Sequence, residues 1–214
     1  MNSSKIAKLQ FISPPQLTGA ALHEHTRLLL EAGLTWVQFR RKVRNDDLST
    51  EVKNGLIKEA CKLKELCQKH QASFIINDHL WLCQEIDADG VHLGRKDGSL
   101  TEARQLLGPN KIIGTSSNSL SDLQEAFNNG VDYSGLGPIY PTTTKKDHNP
   151  VLGWENTIKI ITNFKQDLPV VLIGGISERD LPLHSSLENC GIALSSALAD
   201  ANALTNFKTY LNKF

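Results

Sequence analysis

The sequence predicts an α/β fold, a compact (β/α)8 TIM barrel filling a single domain from residue 1 to 214. Short apolar runs recur eight times, each nearly continuously hydrophobic, as strands covered on both faces must be. Segments with a helical spacing of three to four lie between them. Eight such units within 214 residues fit the small end of the barrel's size range. An open doubly wound sheet is the alternative arrangement of the same units.

The first strand is expected at Leu9–Ile12, and the helix after it, carrying Leu28, Leu29 and Ala32, stops at Gly33. Thr35–Arg40 follows as the second strand. Val52, Leu56, Ala60, Leu63 and Cys67 then step by three or four along one helix face. Ser73–Asn77, Gly90–Leu93 and Lys111–Ser116 give strands three to five. Next comes a helix marked by Leu120, Leu123 and Phe127, with Ser119 as N-cap, Asp122 in the first turn and Gly130 closing it. Tyr133–Leu136, Val170–Ile173 and Gly191–Leu194 complete the set.

Composition narrows the function. With 40% hydrophobic and 21% charged residues, the chain is built to bury a core rather than to stay disordered. Twenty-three Lys+Arg balance 23 Asp+Glu, so no basic excess favours nucleic acid. No run approaches the ~20 apolar residues of a membrane span, and none resembles a signal peptide. Cys61, Cys67, Cys83 and Cys190 lack CxxC or zinc-finger spacing and are read as reduced thiols of a cytoplasmic protein. The sequence leaves homo-oligomerisation open.

In a barrel the active face lies at the C-terminal ends of the strands. Gln38, Arg40 and Lys42 alternate after strand two, and a cationic cluster there suits a phosphorylated ligand or is merely a solvated charge run. Asp78 after strand three and Asp97 after strand four face the same opening, either as Mg²⁺ ligands or as an acid–base pair. Asp97 also fits a helix N-cap. Gly114-Thr115-Ser116-Ser117-Asn118 ends strand five. A long polar loop then runs from strand six to about Gly153 and contains Thr142, Thr143, Thr144, Lys145 and Lys146. Its length suits a lid that closes over the site. Gly174-Gly175 and Ser195-Ser196 end strands seven and eight, the usual phosphate site of such barrels. Walker A, GxGxxG and GxSxG patterns are absent. The histidines show no metal spacing, and His79 and His92 are either neighbours of the site or, by the simpler reading, structural.

Val37-Gln38-Phe39-Arg40-Arg41-Lys42, Ile76-Asn77-Asp78, Ala88-Asp89-Gly90-Val91-His92-Leu93-Gly94 with Asp97, the segment Gly137–Lys145 and Ile173-Gly174-Gly175-Ile176 together resemble the thiamine phosphate synthase family, in that family's order and over almost the whole chain. The resemblance implies a transferase of thiamine biosynthesis. It would join 4-amino-2-methyl-5-pyrimidinylmethyl diphosphate to a thiazole phosphate, giving thiamine phosphate and pyrophosphate.

By position, the resemblance implies that Gln38, Phe39, Arg40, Arg41, Lys42, Asn77, Ser116 and Lys145 hold the pyrimidine diphosphate. Arg40, Lys42 and Lys145 would neutralise the leaving group. Thr142, Thr143, Thr144, Gly175, Ser195 and Ser196 would hold the thiazole phosphate, and Asp78 and Asp97 would carry Mg²⁺. Departures are Phe39 where Leu is common, Arg95 where Gln is usual and Asn118 where many members have His. The alternatives are a thiazole tautomerase of the sister group and a non-catalytic phosphate-binding barrel. A tautomerase needs a His after the glycine of the strand-six segment, where this chain has Pro138.

Overall fold

The computed structural model describes residues 8–43, 47–142, 144, 149–180, 187, 190–199, 202, 204, 205, 207 and 208. Eight parallel strands close on themselves in sequence order: β1 (Leu9–Ile12), β2 (Trp36–Phe39), β3 (Ser73–Asn77), β4 (Gly90–Leu93), β5 (Ile112–Ser117), β6 (Tyr133–Leu136), β7 (Val170–Ile173) and β8 (Cys190–Leu194). The closing pair, β8 against β1, is registered Ile192 to Leu9 and Leu194 to Phe11. Closure rules out the open-sheet alternative. Every strand falls within a residue or two of its expected bounds.

Helices pack around the barrel, among them α1 (Gly19–Glu31), α2 (Thr50–Lys69), α3 (Leu80–Glu85), α4 (Leu100–Leu107), α5 (Leu120–Asn128) and α6 (Trp154–Asn163). Among the described residues, short 3₁₀ turns, Glu178–Asp180 and Ser196–Leu198, follow β7 and β8, and Leu204, Thr205, Phe207 and Lys208 are helical. Ser119 caps α5 as predicted, accepting from the Asp122 amide at 3.1 Å, and Gly130 leaves the helix at φ +65°. Two stripe assignments need correction. Val52 is exposed at the start of α2, whose packed face runs from Leu56 to Cys67. On α5, Leu123 and Ala126 carry the burial, while Leu120 and Phe127 lie a turn away at the solvent margin.

Strand alternation divides the hydrophobic residues into two layers. Phe11, Val37, Phe39, Phe74, Ile76, Val91, Leu93, Ile113 and Leu136 point outward and pack beneath the helices. Ile12, Trp36, Ile75, Ile112, Tyr133, Val171 and Ala193 point inward and fill the barrel. Trp36 meets Tyr133 edge-on with ring centroids 4.9 Å apart. Gly114 makes room for that phenol: a Cβ there would lie 2.2 Å from the Tyr133 ring. All four cysteines are free; Cys67, Cys83 and Cys190 are buried and Cys61 partly so. Burial pushes the thiols of Cys83 and Cys190 up to about 12 and about 11, so they stay protonated and inert at neutral pH. No helix among the described residues is long and apolar enough to cross a membrane.

Candidate active site

Continuing the inward parity of each strand past its C-terminal end delivers one set of polar side chains to the barrel mouth. They line a cleft of about 1140 Å³, counting the space open to solvent. Gln38, Arg40 and Lys42 come from β2 and its extension, Asn77 and Asp78 from β3, His92 and Gly94 from β4, and Ser116 from β5. Thr142, Thr144 and Asn149 come from the loop after β6, Gly174 and Gly175 from β7, and Ser195 and Ser196 from β8. The apolar residues Ile12, Val171, Ile173 and Ala193 form its floor, together with Gln10 and Tyr133.

The same parity sends two expected substrate contacts the other way. Phe39 is buried under the helices, 6.2 Å from the Phe74 ring by centroids. Arg41 grips Glu59 of α2 through Nη2 (2.8 Å) and Nε (3.1 Å), donates to the Leu17 carbonyl at 2.6 Å and lies 5.1 Å from the Phe39 ring. The structure thus does not bring Phe39 and Arg41 into the cleft, because they occupy the odd positions of a strand whose even positions face inward. Arg40 is fixed by its own backbone. The Ser13 hydroxyl accepts from the Arg40 amide at 2.8 Å and lies 3.2 Å from its carbonyl. Thr143 and Lys145 lie outside the described residues, as does most of the expected lid around Pro141–Asp147.

The two carboxylates meet at one side of this mouth. Asp78 sits at φ +65°, a left-handed conformation that Asp tolerates better than most residues, with its amide donating to the His92 carbonyl at 2.9 Å. The turn brings its carboxyl up against that of Asp97. Burial, then the neighbouring Asp97, pushes Asp78 up to about 6, against the pull of Lys42 and Arg40. Asp97 is itself exposed, and one of its oxygens accepts from the Gly94 amide at 3.1 Å. Among the described residues no three His, Cys, Asp or Glu side chains come together as a metal cage. Two hard carboxylates sharing one site, beside a cleft that admits phosphate, instead fit Mg²⁺, which usually takes one or two carboxylates and completes its shell with water and phosphate oxygens.

Buried polar atoms show what the cleft is shaped to receive. Asn77 Nδ2, Gln10 Nε2 and Ser195 Oγ are sealed from solvent and hydrogen-bond to no described residue. Such groups cost roughly 1–3 kcal/mol each when left unsatisfied, so the cleft is built for a polar guest. On the β7–β8 side, Gly175 adopts φ +67°, and a Cβ there would lie 2.5 Å from the Pro141 carbonyl oxygen. Only glycine lets that backbone face an anion while the β6 loop packs against it.

Four contributors escaped the sequence reading. His92, structural by the simpler reading, lines the cleft with its Nε2 2.9 Å from Ser116 Oγ and its Nδ1 3.0 Å from Tyr133 Oη. Its even position on β4 was the signal that could have found it. Gln10 had the same signal on β1. Tyr133 and Asn149 carried no motif. His79, by contrast, is structural as expected, with Nε2 3.0 Å from the Arg41 carbonyl oxygen. Asn118 donates from Nδ2 to the Gly137 carbonyl at 2.9 Å and the Pro150 carbonyl at 3.0 Å, tying together the two stems of the β6 loop.

Comparison with known proteins gives a consistent picture. The sequence profile of the family described as thiamine monophosphate synthase matches residues 9–198. A thiamine-phosphate synthase from Phocaeicola vulgatus is 42% identical over 200 residues, covering 92% of each chain. One from Bacteroides thetaiotaomicron is 38% identical over 199 residues, covering 92% of this chain and 91% of its own. Among solved structures, a thiamine phosphate pyrophosphorylase from Pyrococcus furiosus superposes with a TM-score of 0.81 at 29% identity, covering 96% of this chain and 94% of its own.

Proposed function

The chain belongs to the thiamine monophosphate synthase family and is thereby a transferase; from that premise we propose that its strand-end cleft joins 4-amino-2-methyl-5-pyrimidinylmethyl diphosphate to a thiazole phosphate. The products are thiamine phosphate and pyrophosphate. One observation carries this reading: the cleft offers two separate anion-accepting places at one mouth. Arg40, Lys42, Asn77, Asp78 and Ser116 stand on one side, with Asp97 beside Asp78, and Gly174, Gly175, Ser195 and Ser196 stand on the other.

On the first side, Arg40 and Lys42 bind the diphosphate and offset the charge that accumulates as its C–O bond breaks. Asp78 and Asp97 would hold Mg²⁺ there, and the ion supplies further charge neutralisation on the departing pyrophosphate when bound. The electron-rich aminopyrimidine carries the resulting methylene cation. The thiazole nitrogen donates its lone pair to that carbon, forming the new C–N bond, and because it bears no proton the joining step needs no general base. The protein's task is therefore alignment and exclusion of water. The Gly175 turn with Ser195, Ser196, Thr142 and Thr144 anchors the thiazole phosphate, while the inward floor of Ile12, Val171, Ile173 and Ala193 keeps the reacting centre dry. Four free cysteines suit a reducing, cytoplasmic setting.

Kinetics of thiamine phosphate formation test the assignment. Arg40→Met should raise KM for the pyrimidine diphosphate at least about tenfold and leave KM for the thiazole phosphate nearly unchanged. Ser196→Ala should do the reverse, more mildly. An equal effect of either variant on both substrates would count against two distinct places.

A further inference from the structure

Beneath Ser116, a line of hydrogen bonds crosses the cleft floor, and its direction can be worked out from its first member. Gln38 Nε2 lies 3.4 Å from Tyr133 Oη and 3.5 Å from Gln10 Oε1. An amide nitrogen only donates, so it occupies a lone pair of the phenol oxygen. The phenol proton then needs an acceptor among the packed side chains, because Tyr133 is 1% exposed. His92 Nδ1, at 3.0 Å, is that acceptor. A neutral imidazole carries one proton, so accepting at Nδ1 places the hydrogen on Nε2, which donates to Ser116 Oγ at 2.9 Å. The serine's own proton is thereby turned away from His92 and into the cleft.

Packing holds each ring in place. Trp36 meets Tyr133 edge-on, and the phenol occupies the space left by Gly114. The His92 ring lies 5.5 Å from the Tyr133 ring by centroids, and a Cβ on Gly135 would come within 3.4 Å of its Cε1. The polar atoms consequently have fixed directions.

We propose that Tyr133 and His92 are positioning residues that hold the Ser116 hydroxyl as a hydrogen-bond donor toward the bound diphosphate. The proposal rests on the reading that Ser116 meets the diphosphate, and it adds how that contact acquires its sense. A hydroxyl fixed as donor gains strength as negative charge grows on the leaving group, whereas one free to rotate would lose that preorganisation. Gln38 has two uses here, one in lining the cleft and the other in starting the relay.

The experiment is a long-range ¹H–¹⁵N correlation spectrum of the full-length ¹⁵N-histidine-labelled protein at about pH 8, above the ordinary imidazole range. His92→Gln assigns the His92 signals. The expected signature is a protonated Nε2 and a bare, hydrogen-bonded Nδ1, relaxing toward a tautomer mixture in Tyr133→Phe. In synthesis assays, Tyr133→Phe should lower kcat about tenfold with KM for the thiazole phosphate within about twofold. In a Ser116→Ala background it should have no further effect. His92→Gln, which keeps a donor near the Nε2 position, should retain more activity than His92→Leu. A native tautomer protonated at Nδ1 overturns the proposal, and so does an equal cost of Tyr133→Phe in both backgrounds, which would mean that the phenol acts through packing alone. If the unmodified protein forms no thiamine phosphate, the functional reading fails, while the tautomer signature still decides the direction of the relay.

Discussion

Replacing Asp78 by Asn should abolish synthesis and yet make the metal-free protein more stable, because this carboxyl is held in a place that disfavours its charge. Asp78 is pushed from 3.8 to about 6 by burial and by Asp97. At 1.36 kcal/mol per pH unit, a rise of about two units corresponds to about 3 kcal/mol. The folded-state value lies above the unfolded one, so the native protein binds the extra proton between roughly pH 4 and 6. Stability from this group is complete below that window and is lost as pH rises through it. Asn carries no charge to lose, tolerates the φ of +65° and can still donate to Asp97. Urea unfolding in EDTA should therefore give coincident stabilities near pH 4 and an advantage of about 3 kcal/mol for Asp78→Asn at pH 7, which is about 6–12 °C in Tm for a domain of this size. Mg²⁺ should then stabilise the unsubstituted protein and leave the variant unmoved. A variant equal to or less stable than the parent at pH 7 without metal would refute the reasoning.

Other outcomes follow from the placement of individual residues. Arg41→Ala should cost about 2–4 kcal/mol in denaturant unfolding, since it strands the mostly buried Glu59 carboxylate. It should leave both KM values within about twofold; a large rise in KM for the diphosphate would return Arg41 to the cleft. Gly114→Ala drives a methyl group into the Tyr133 ring and should cost about 3 kcal/mol or more, so an unchanged melting temperature would contradict the packing of the barrel interior. Asn118→Ala loses both carbonyl contacts at the stems of the β6 loop, and KM for the thiazole phosphate should rise about three- to tenfold. Faster amide exchange at Leu152 and Gly153, whose amides donate to the Pro138 and Ile139 carbonyls, should accompany it.

Much of this was legible in the sequence, for a definite reason. Parallel strands covered on both faces must be continuously apolar, so Phe74-Ile75-Ile76 or Val170-Val171-Leu172-Ile173 announce themselves. The two-residue period then assigns each side chain to the helix layer or to the interior. That rule groups Gln38, Arg40 and Lys42 and, applied strictly, separates them from Phe39 and Arg41, which the motif resemblance keeps together with them. His92 obeys the same rule, but a single histidine without metal spacing has no sequence signature that separates a site neighbour from a structural residue. Tyr133 and Gly114 could not be paired in advance, since one fills the space left by the other only once the barrel closes. Asn118 illustrates a further limit. Its partners are backbone carbonyls 19 and 32 residues away, and carbonyls leave no trace in the identity of the residues that bear them.

The most direct test of the account is a product assay on the purified protein with both phosphorylated substrates, with and without Mg²⁺, measuring thiamine phosphate and pyrophosphate together. Equal amounts of the two, formed only with Mg²⁺ and lost in Asp97→Asn, are the predicted result. Pyrophosphate appearing without thiamine phosphate, or synthesis proceeding at full rate in EDTA, would contradict it.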